Sequence, residues 1–248
     1  MPNIRLIVEY VGTNYHGWQI QPHVPTVQGV LQNALRVTLR SAVVIRGAAR
    51  TDAGVHALGQ VASFSSSDPV DCRRLLRSLN AILPDDIGVR RVEEVADDFH
   101  PRHAALGRIY RYQVVEGECL SPFLAPFAAH SRRQLDVLAM DEAARALEGR
   151  HDFSSFCAAG DLSESRIKEI RSSRVERDEE RGDLIVYTVE GSSFLQHMVR
   201  NIAGTLMDVG RGRFNVAAMR AILEARDRRC AGPTAAARGL CLMKVLYD

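Results

Sequence analysis

The sequence lacks the short motifs by which several large enzyme classes are recognised. It contains no G-x-x-x-x-G-K-S/T loop, no G-x-G-x-x-G after a strand and no G-x-S-x-G turn. These absences remove support from nucleotide hydrolysis, dinucleotide redox chemistry and serine hydrolysis. Tryptophan is also scarce. The single one, Trp18, lies in a polar, aromatic loop at residues 12–19.

Cysteine is sparse and scattered. The five cysteines include no C-x-x-C pair, which is not typical of a disulfide framework or of a cysteine zinc site. His100 and His103 flank a Pro-Arg pair, but two histidines without a third clustered ligand favour a surface loop over a metal site. We therefore predict that the protein holds no metal.

Long apolar runs are absent too. No segment approaches the length of a membrane span, and the first residues, MPNIRLIVEY, lack the pattern of a signal peptide. We therefore expect a soluble, cytoplasmic protein with no membrane partner. Its 248 residues, 46% of them hydrophobic, suffice for one large domain or two small ones.

Lysine is nearly missing from the basic residues. Only Lys168 and Lys244 of the 32 basic residues are lysines, and the rest are arginines. Arginine binds phosphates and stacks on bases, so this composition suits a nucleic-acid-binding protein. A genome-wide preference for arginine codons explains it equally well. With a net charge of only +2, any RNA-binding surface must be a local patch.

Hydrophobic periodicity predicts an α+β protein whose two halves each begin with a strand. The predicted strands cover 4–10, 43–45, 61–64, 87–95, 106–115, 170–177, 184–190 and 240–247. The predicted helices cover 27–39, 72–83, 135–147, 194–209 and 216–225, with Thr26 and Asp71 as N-caps. Residues 151–169 are predicted to form a long loop.

The predicted elements divide the chain into two subdomains, residues 1–104 and residues 105–248. The strands 170–177 and 184–190 are separated by charged and glycine turn residues, which is typical of a hairpin. This favours mixed or antiparallel sheets flanked by helices over a doubly wound parallel sheet.

One acidic residue stands out in a stretch of small and apolar residues. Residues 47–64 read GAARTDAGVHALGQVASF, with Asp52 two positions after Arg50 and before an Ala-Gly pair. A small-residue turn between strands can present one carboxylate to a ligand. The alternative is that Asp52 only caps a turn, as aspartate commonly does.

Two further residues are candidates for the same chemistry. Arg200 lies on a predicted helix among apolar neighbours, and a partly buried arginine needs an acidic or phosphate partner. From composition alone, a structural ion pair with some acid is the better interpretation. Tyr110 lies on a predicted strand, where a tyrosine is more often a core aromatic than a platform for a ligand.

Several segments, in order along the chain, carry a resemblance to a known family. They are YVGTNYHGWQIQPHVPTVQ (10–28), ARTDAGVHALGQVASF (49–64), FHPRHAALGRIYRY (99–112), HDFSSFCAAG (151–160), SFLQHMVRNIAGTL (193–206) and GPTAAARGLCLMKVLY (232–247). On these segments the chain resembles the tRNA pseudouridine synthase A family. The resemblance spans nearly the whole length, and RTDAGVHA alone is already specific.

The resemblance implies a function and a fold. It implies an isomerase that converts uridine to pseudouridine in the anticodon arm of tRNA, at positions thirty-eight to forty, without cofactor or metal. It also implies a homodimer and the pseudouridine synthase fold, with an active-site cleft between two subdomains. The competing interpretation is an inactive tRNA-binding or chaperone protein of the same fold. A nucleoside glycosidase would need a second positioned acid, and none stands out near Asp52.

The resemblance also implies roles for individual residues. Asp52 matches the essential aspartate, which either attacks C1′ of the ribose or removes a proton from C2′. Tyr110 matches the tyrosine that stacks on the target base and could accept the C5 proton. Arg200 matches the basic partner of the aspartate, and Arg50 matches an arginine that assists base extrusion. Arg102, Arg108 and Arg111 are further candidates for phosphate contacts, with solvated surface as the equal alternative.

Three positions depart from the family pattern. Ala49 replaces the usual glycine before Arg50, Val11 replaces an aspartate, and Ala236 replaces a proline. The first matters most, because a backbone conformation open only to glycine would be strained by a methyl group. None of the three removes a side chain with an assigned chemical role, so we expect activity.

Overall fold

A computed structural model describes residues 2–161 and 163–248. Over these residues the chain forms ten strands and five α-helices. In chain order they are β1 (Asn3–Tyr10), α1 (Val27–Leu39), β2 (Arg46–Gly47), β3 (His56–Ser65), α2 (Cys72–Ile82), β4 (Ile87–Val95), β5 (Gly107–Glu116), β6 (Ala129–Ser131), α3 (Val137–Arg145), β7 (Gly149–Asp152), β8 (Ile167–Arg177), β9 (Leu184–Gly191), α4 (Met198–Gly210), α5 (Val216–Ala225) and β10 (Leu240–Leu246). Judged over the described residues, none of these helices has the length and hydropathy needed to cross a bilayer.

The chain contacts separate two compact units. Unit 1 holds the residues up to Leu106 together with Leu242–Asp248, and unit 2 holds Gly107–Cys241. The predicted α+β class with mixed sheets is confirmed. The division into residues 1–104 and 105–248, and the cleft between those two parts, stay predictions.

Unit 1 is built on four strands in the order β4-β1-β3-β10, and β2 pairs with β3. The central β1 is antiparallel to both of its neighbours, so that Leu6 lies opposite Ala62 on β3 and Val92 on β4. Ile4, Leu6 and Val8 alternate along β1 and are fully buried. The period-2 pattern in the sequence therefore marks one face of the sheet as core.

Unit 2 has its strands in the order β5-β9-β8-β7, each antiparallel to the next, with β6 parallel to β5. The predicted hairpin is confirmed as β8 and β9. Every residue of α4 except Arg200 is buried. A helix that is apolar on nearly all sides has to lie inside the protein. Arg200 is the one residue of α4 that is partly exposed to solvent.

The helix caps predicted from sequence are confirmed in unit 1. The hydroxyl oxygen of Thr26 accepts a hydrogen bond from the backbone N–H of Gly29, and the carboxylate of Asp71 accepts one from the N–H of Arg74. Each cap satisfies a backbone donor that the first helical turn leaves without a partner. These local interactions are why α1 and α2 begin where the sequence indicates.

The predicted strand at 43–45 is wrong. These residues belong to no strand, and the pairing with β3 starts only at Arg46. The polar groups of Ile45 are instead satisfied by side chains of α1, because Gln28 donates to the Ile45 carbonyl oxygen at 2.8 Å and Gln32 accepts from its N–H at 3.4 Å. A side-chain amide thus takes the place of a neighbouring strand.

The predicted long loop at 151–169 is wrong in part. Strand β7 ends at Asp152, a 3₁₀ turn covers Ser154–Phe156, and β8 already begins at Ile167. Phe153 and Phe156 are fully buried, which fixes this polar-looking stretch to the core of unit 2. Strand β6, with three residues, was not predicted at all, because it is too short to show a period.

Helix α4 begins at Met198 and not at residue 194 as predicted. His197 precedes it with a φ of 61°, in the left-handed region. A right-handed helix cannot extend through such a residue. The apolar residues before it therefore belong to the connection from β9, although they continue the helical pattern in the sequence.

Candidate functional site

Asp52 lies at the start of a tight turn that leads into β3. Its carbonyl oxygen accepts a hydrogen bond from the N–H of Val55 at 3.1 Å, and Gly54 adopts a φ of 76°. A glycine with positive φ at the third position is the requirement of a type II turn. The Ala53-Gly54 pair therefore closes the turn behind Asp52, whose side chain stays half-buried.

The backbone of this turn is held by the loop at residues 12–19. The N–H of Trp18 donates to the carbonyl oxygen of Thr51 at 3.1 Å, and the N–H of Gly54 donates to the carbonyl oxygen of Tyr15 at 3.2 Å. Bonds on both sides of Asp52 thus fix the peptide planes that carry its side chain. The polar, aromatic loop singled out in the sequence is the support of the Asp52 turn.

Glycines let the loop approach the turn closely. A Cβ on Gly12 would lie 2.0 Å from the carbonyl oxygen of Val55, and one on Gly17 would lie 2.5 Å from that of Thr51. Gly17 also has a φ of 88°. The hydroxyls of Tyr10 and Thr51 add a buried hydrogen bond at 2.8 Å. Only glycine at these two positions permits the observed contact.

Ala49 and Arg50 precede the turn. The side-chain amide of the fully buried Gln60 holds Ala49 at both ends, accepting from its N–H at 3.2 Å and donating to its carbonyl oxygen at 2.8 Å. Among the described non-glycine residues, positive φ values occur at His23, Arg40, His197 and Arg226. The strain expected at Ala49 is therefore not found. The side chain of Arg50 is exposed.

Tyr110 lies on β5 in unit 2, opposite Val189 of β9. Its ring is 7% exposed and meets the ring of Phe194 edge to face, with the centroids 5.1 Å apart. This is a favourable aromatic geometry, and it fixes the plane of the tyrosine ring. Tyr110 is thus a packed aromatic with a small exposed part. This position is compatible with a core aromatic and with a platform for a ligand, the two interpretations drawn from the sequence.

Arg200 is held by the segment before β10. Its Nε donates to the carbonyl oxygen of Ala235 at 2.9 Å, and the N–H of Ala235 donates back to the carbonyl oxygen of Arg200 at 3.1 Å. The segment can come this near because Gly204 carries no side chain, and a Cβ there would lie 1.8 Å from the carbonyl oxygen of Pro233. The guanidinium is therefore oriented by backbone on one side.

A network of polar side chains also holds the segment before β10. The Thr234 hydroxyl donates to the Oδ1 of Asn201 at 2.6 Å, and Arg228 donates to Asn201 Oδ1, to Thr234 Oγ1 and to the carbonyl oxygen of Gly232. Asn201 is fully buried. Sequence reasoning missed these three side chains. The available signal was Asn201, an amide inside an otherwise apolar helix.

Tyr112 shares its strand face with Tyr110. Its hydroxyl donates to the carbonyl oxygen of Ala236 at 2.9 Å, so it supports the end of the same segment. Burial raises the pKa of Tyr112, while the charges of Arg200 and Arg238 act to lower it. The phenol therefore stays protonated and serves as a donor at neutral pH.

The three arginines predicted as candidates for phosphate contacts differ in their exposure to solvent. Arg108 is 8% exposed and donates to the carbonyl oxygen of Ser192 at 2.8 Å, so its side chain is part of the interior of unit 2. Arg102 and Arg111 are exposed. Over the described residues, no three His, Cys, Asp or Glu side chains are grouped so as to hold a metal ion.

The predicted site residues are divided between the two units. Asp52 and Arg50 belong to unit 1, and Tyr110 and Arg200 belong to unit 2. Each is supported within its own unit by the contacts described above. The ion pair between Asp52 and Arg200, and the roles of the four residues, stay predictions.

Comparison with known proteins gives a consistent result. A family model described as tRNA pseudouridine synthase matches residues 6–103 and 143–248. Proteins named tRNA pseudouridine synthase A match all of this chain: one from Myxococcus xanthus is 44% identical over 247 residues and 92% covered, and one from Moorella thermoacetica is 44% identical over 249 residues and fully covered. A chain of a solved structure, titled "Crystal Structure of a Cbf5-Nop10-Gar1 Complex", is also similar: the match covers 96% of this chain and 57% of that chain. The sequence identity is 9% and the TM-score is 0.36, which is too low to support a conclusion.

Proposed function

The chain belongs to the tRNA pseudouridine synthase A family, and from this membership we propose that it modifies uridines in the anticodon arm of tRNA, at positions thirty-eight to forty. The protein is an isomerase that converts uridine to pseudouridine in tRNA. The observation that carries this conclusion is the similarity over the entire chain to proteins of that name. An inactive tRNA-binding or chaperone protein is not favoured, because the sequence keeps Asp52, Tyr110 and Arg200, the residues to which the resemblance assigns the chemistry.

The reaction rearranges one base on its ribose. The bond between N1 and C1′ breaks, the uracil turns, and a bond forms between C5 and C1′. The C5 proton leaves and N1 takes up a proton, so that no atom is gained or lost and no redox partner is needed. The base must first leave its stack, at a cost of a few kcal/mol.

Asp52 acts as the nucleophile or the base. Its carboxylate either attacks C1′ to form a covalent intermediate or removes the C2′ proton to give a glycal. Both roles require the ionised form, which a neighbouring guanidinium such as that of Arg200 favours. Two hydrogen bonds between the turn and the loop at residues 12–19, from Trp18 N–H to the Thr51 carbonyl oxygen and from Gly54 N–H to the Tyr15 carbonyl oxygen, support this role, because they hold the backbone that carries the carboxylate while the base turns.

Tyr110 and Arg50 act on the base. Tyr110 stacks on the extruded uracil, a contact worth about 1–3 kcal/mol per base, and accepts or relays the C5 proton. Its edge-to-face contact with Phe194 supports this role, since a ring fixed in one plane is a better platform. Arg50, exposed beside the Asp52 turn, assists extrusion of the nucleotide.

The proposed assembly follows from the same resemblance. The protein acts as a homodimer on tRNA in the cytoplasm, without metal or organic cofactor. Nothing in the balance of the reaction calls for either.

The direct test is release of tritium from tRNA labelled at C5 of uridine. Purified wild-type protein, without added metal or nucleotide, is expected to release tritium, and sequencing of the product then maps the modified positions. Asp52→Ala is expected to abolish release and to bind tRNA with an affinity within a few-fold of wild type. Asp85→Ala, an exposed aspartate in the same unit, is the matched control and is expected to keep the wild-type rate.

The outcomes separate the alternatives. Wild-type protein that binds tRNA tightly and releases no tritium would support the binding-protein alternative. Turnover retained in Asp52→Ala would remove Asp52 from the mechanism while leaving the activity intact. Pseudouridine found only outside the anticodon arm would contradict the proposed site choice.

A further inference from the structure

The exposed loop that follows β4 is held in place by hydrogen bonds from side chains elsewhere in unit 1. The side-chain amide of Asn3, 4% exposed, donates to the carbonyl oxygens of Ala96 and Phe99 at 3.2 and 2.8 Å. The hydroxyl of Tyr247 donates to the carbonyl oxygen of Pro101 at 2.7 Å. Side chains from β1 and from the end of the chain thus fix the backbone of this loop from within unit 1.

The loop carries two histidines in contact. The ring centroids of His100 and His103 are 4.3 Å apart. The Nδ1 of His100 accepts hydrogen bonds from the backbone N–H groups of Arg102 and His103, at 3.2 and 3.4 Å. A nitrogen that accepts cannot carry a proton, so the hydrogen of the neutral ring lies on Nε2, where it can be donated to a ligand.

Positive groups lie near His100. Burial lowers the pKa of His100, and the neighbouring His103, Arg46 and Arg102 lower it further. Arg46 comes from β2 and is exposed, as are Arg102 and His103. Guanidinium groups gathered at one place on a surface raise the local positive potential, which attracts a polyanion. Functional sites are where such crowding is commonly found.

We propose that His100, Arg102 and His103, together with Arg46, form a subsite that binds a backbone phosphate of the tRNA. This inference rests on the proposed function, because a tRNA supplies the polyanion. The arginine guanidinium groups bind the phosphate oxygens, and the Nε2–H of His100 adds a neutral donor. The anchored backbone presents these donors in a fixed arrangement, so that little order has to be imposed when the RNA binds.

The test is the salt dependence of tRNA binding. Each lost phosphate contact lowers the slope of log affinity against log salt by about 0.7–0.9. The double variant Arg46→Gln/His103→Gln, with both changes on exposed side chains, is compared with wild type by anisotropy of labelled tRNA. Between about 50 and 200 mM salt, wild-type affinity is expected to fall about threefold more than that of Arg46→Gln, and by at least as large a factor more than that of the double variant.

The control is Arg73→Gln, which removes one exposed charge from α2 in the same unit. It is expected to keep the wild-type slope, and Arg46→Lys is expected to restore most of the slope lost in Arg46→Gln. In tritium release, the loss in the double variant is expected to appear as a raised KM. The single variant Arg46→Gln gives the same comparison if the double variant unfolds.

Two failures can be told apart. Wild-type protein that releases no tritium contradicts the proposed function whatever the variants do. If wild type, Arg46→Gln and the double variant have equal salt slopes while wild type still releases tritium, the phosphate subsite alone is overturned. A slope lowered as much by Arg73→Gln as by Arg46→Gln overturns it as well, since the effect would then be general surface charge.

Discussion

Arg200 and Ala235 exchange two hydrogen bonds, one through the side chain and one through the backbone. The Nε of Arg200 donates to the Ala235 carbonyl oxygen at 2.9 Å, and the Ala235 N–H donates to the Arg200 carbonyl oxygen at 3.1 Å. One edge of the guanidinium is thereby occupied by the protein backbone. The orientation of the other nitrogens is set before any ligand arrives, which is what the proposed ion pair with Asp52 would require.

Arg200→Lys is therefore expected to be a poor replacement. Lysine keeps the charge but replaces the planar guanidinium with one ammonium group, so no Nε remains on the Ala235 carbonyl oxygen to fix the direction of a second nitrogen. A charge-assisted hydrogen bond is worth about 1.5–3 kcal/mol, which corresponds to a fall in rate of roughly 10- to 150-fold. Single-turnover tritium release measures it. Arg220→Lys, on an exposed face of α5, is the control, and a wild-type rate for Arg200→Lys would refute the argument.

Gly17→Ala tests the support of the Asp52 turn. The added Cβ would lie 2.5 Å from the Thr51 carbonyl oxygen, at a φ of 88°. We expect a loss of stability greater than about 1 kcal/mol and a lower kcat, since the backbone carrying Asp52 must move. Gly88→Ala on β4 is the matched control, because a Cβ there meets nothing within 4 Å. Equal melting temperatures and rates for the two variants would show that the loop does not position the turn.

Ala49→Gly tests whether the departure from the family pattern matters. Ala49 has no positive φ and is held at both ends by Gln60, so the methyl group costs nothing in the folded state. Glycine would add freedom to the unfolded chain, and we expect a loss of about 0.5–1 kcal/mol in the free energy of unfolding, with no gain in rate. A faster or more stable Ala49→Gly enzyme would mean that the alanine does strain the turn.

The elements that the sequence predicted well are those determined by neighbouring residues. Thr26 and Asp71 cap their helices through bonds that span three residues, and the alternation along β1 records the burial of one face. The turn after Asp52 is likewise indicated by the glycine two positions on. Such patterns can be recognised without knowledge of the remainder of the fold.

The features that the sequence did not predict depend on contacts between distant segments. Ile45 is satisfied by glutamines of α1, which no periodicity in 43–45 can indicate. Arg228 and Thr234 meet Asn201 only because Gly204 allows the last connection to approach α4. The residues around the predicted site were therefore found only in the structure, whereas Asp52 itself was found by resemblance to a family.

Asp161 links the loop after the buried Phe156 to the residues before α4. Its carboxylate accepts hydrogen bonds from the N–H groups of Ser163 and Gln196, both at 2.6 Å, and pairs with Arg166 at 2.9 Å. The side chain is 4% exposed. Burial acts to raise the pKa of Asp161, but the bonds from Ser163 and Gln196 and the charge of Arg166 outweigh it and lower the pKa to about 2.

Asp161→Asn is therefore expected to lose stability in a pH-dependent way. A pKa lowered in the folded state stabilises the protein above the ordinary value near 3.8, and this contribution disappears as the pH falls towards 2. The shift corresponds to about 2 kcal/mol, so urea unfolding at pH 7 should show wild type more stable by about that amount. The difference should shrink between about pH 5 and pH 2, and the exposed Asp85→Asn should show none. A difference that stays constant over this range would mean that Asp161 acts by packing and not by its charge.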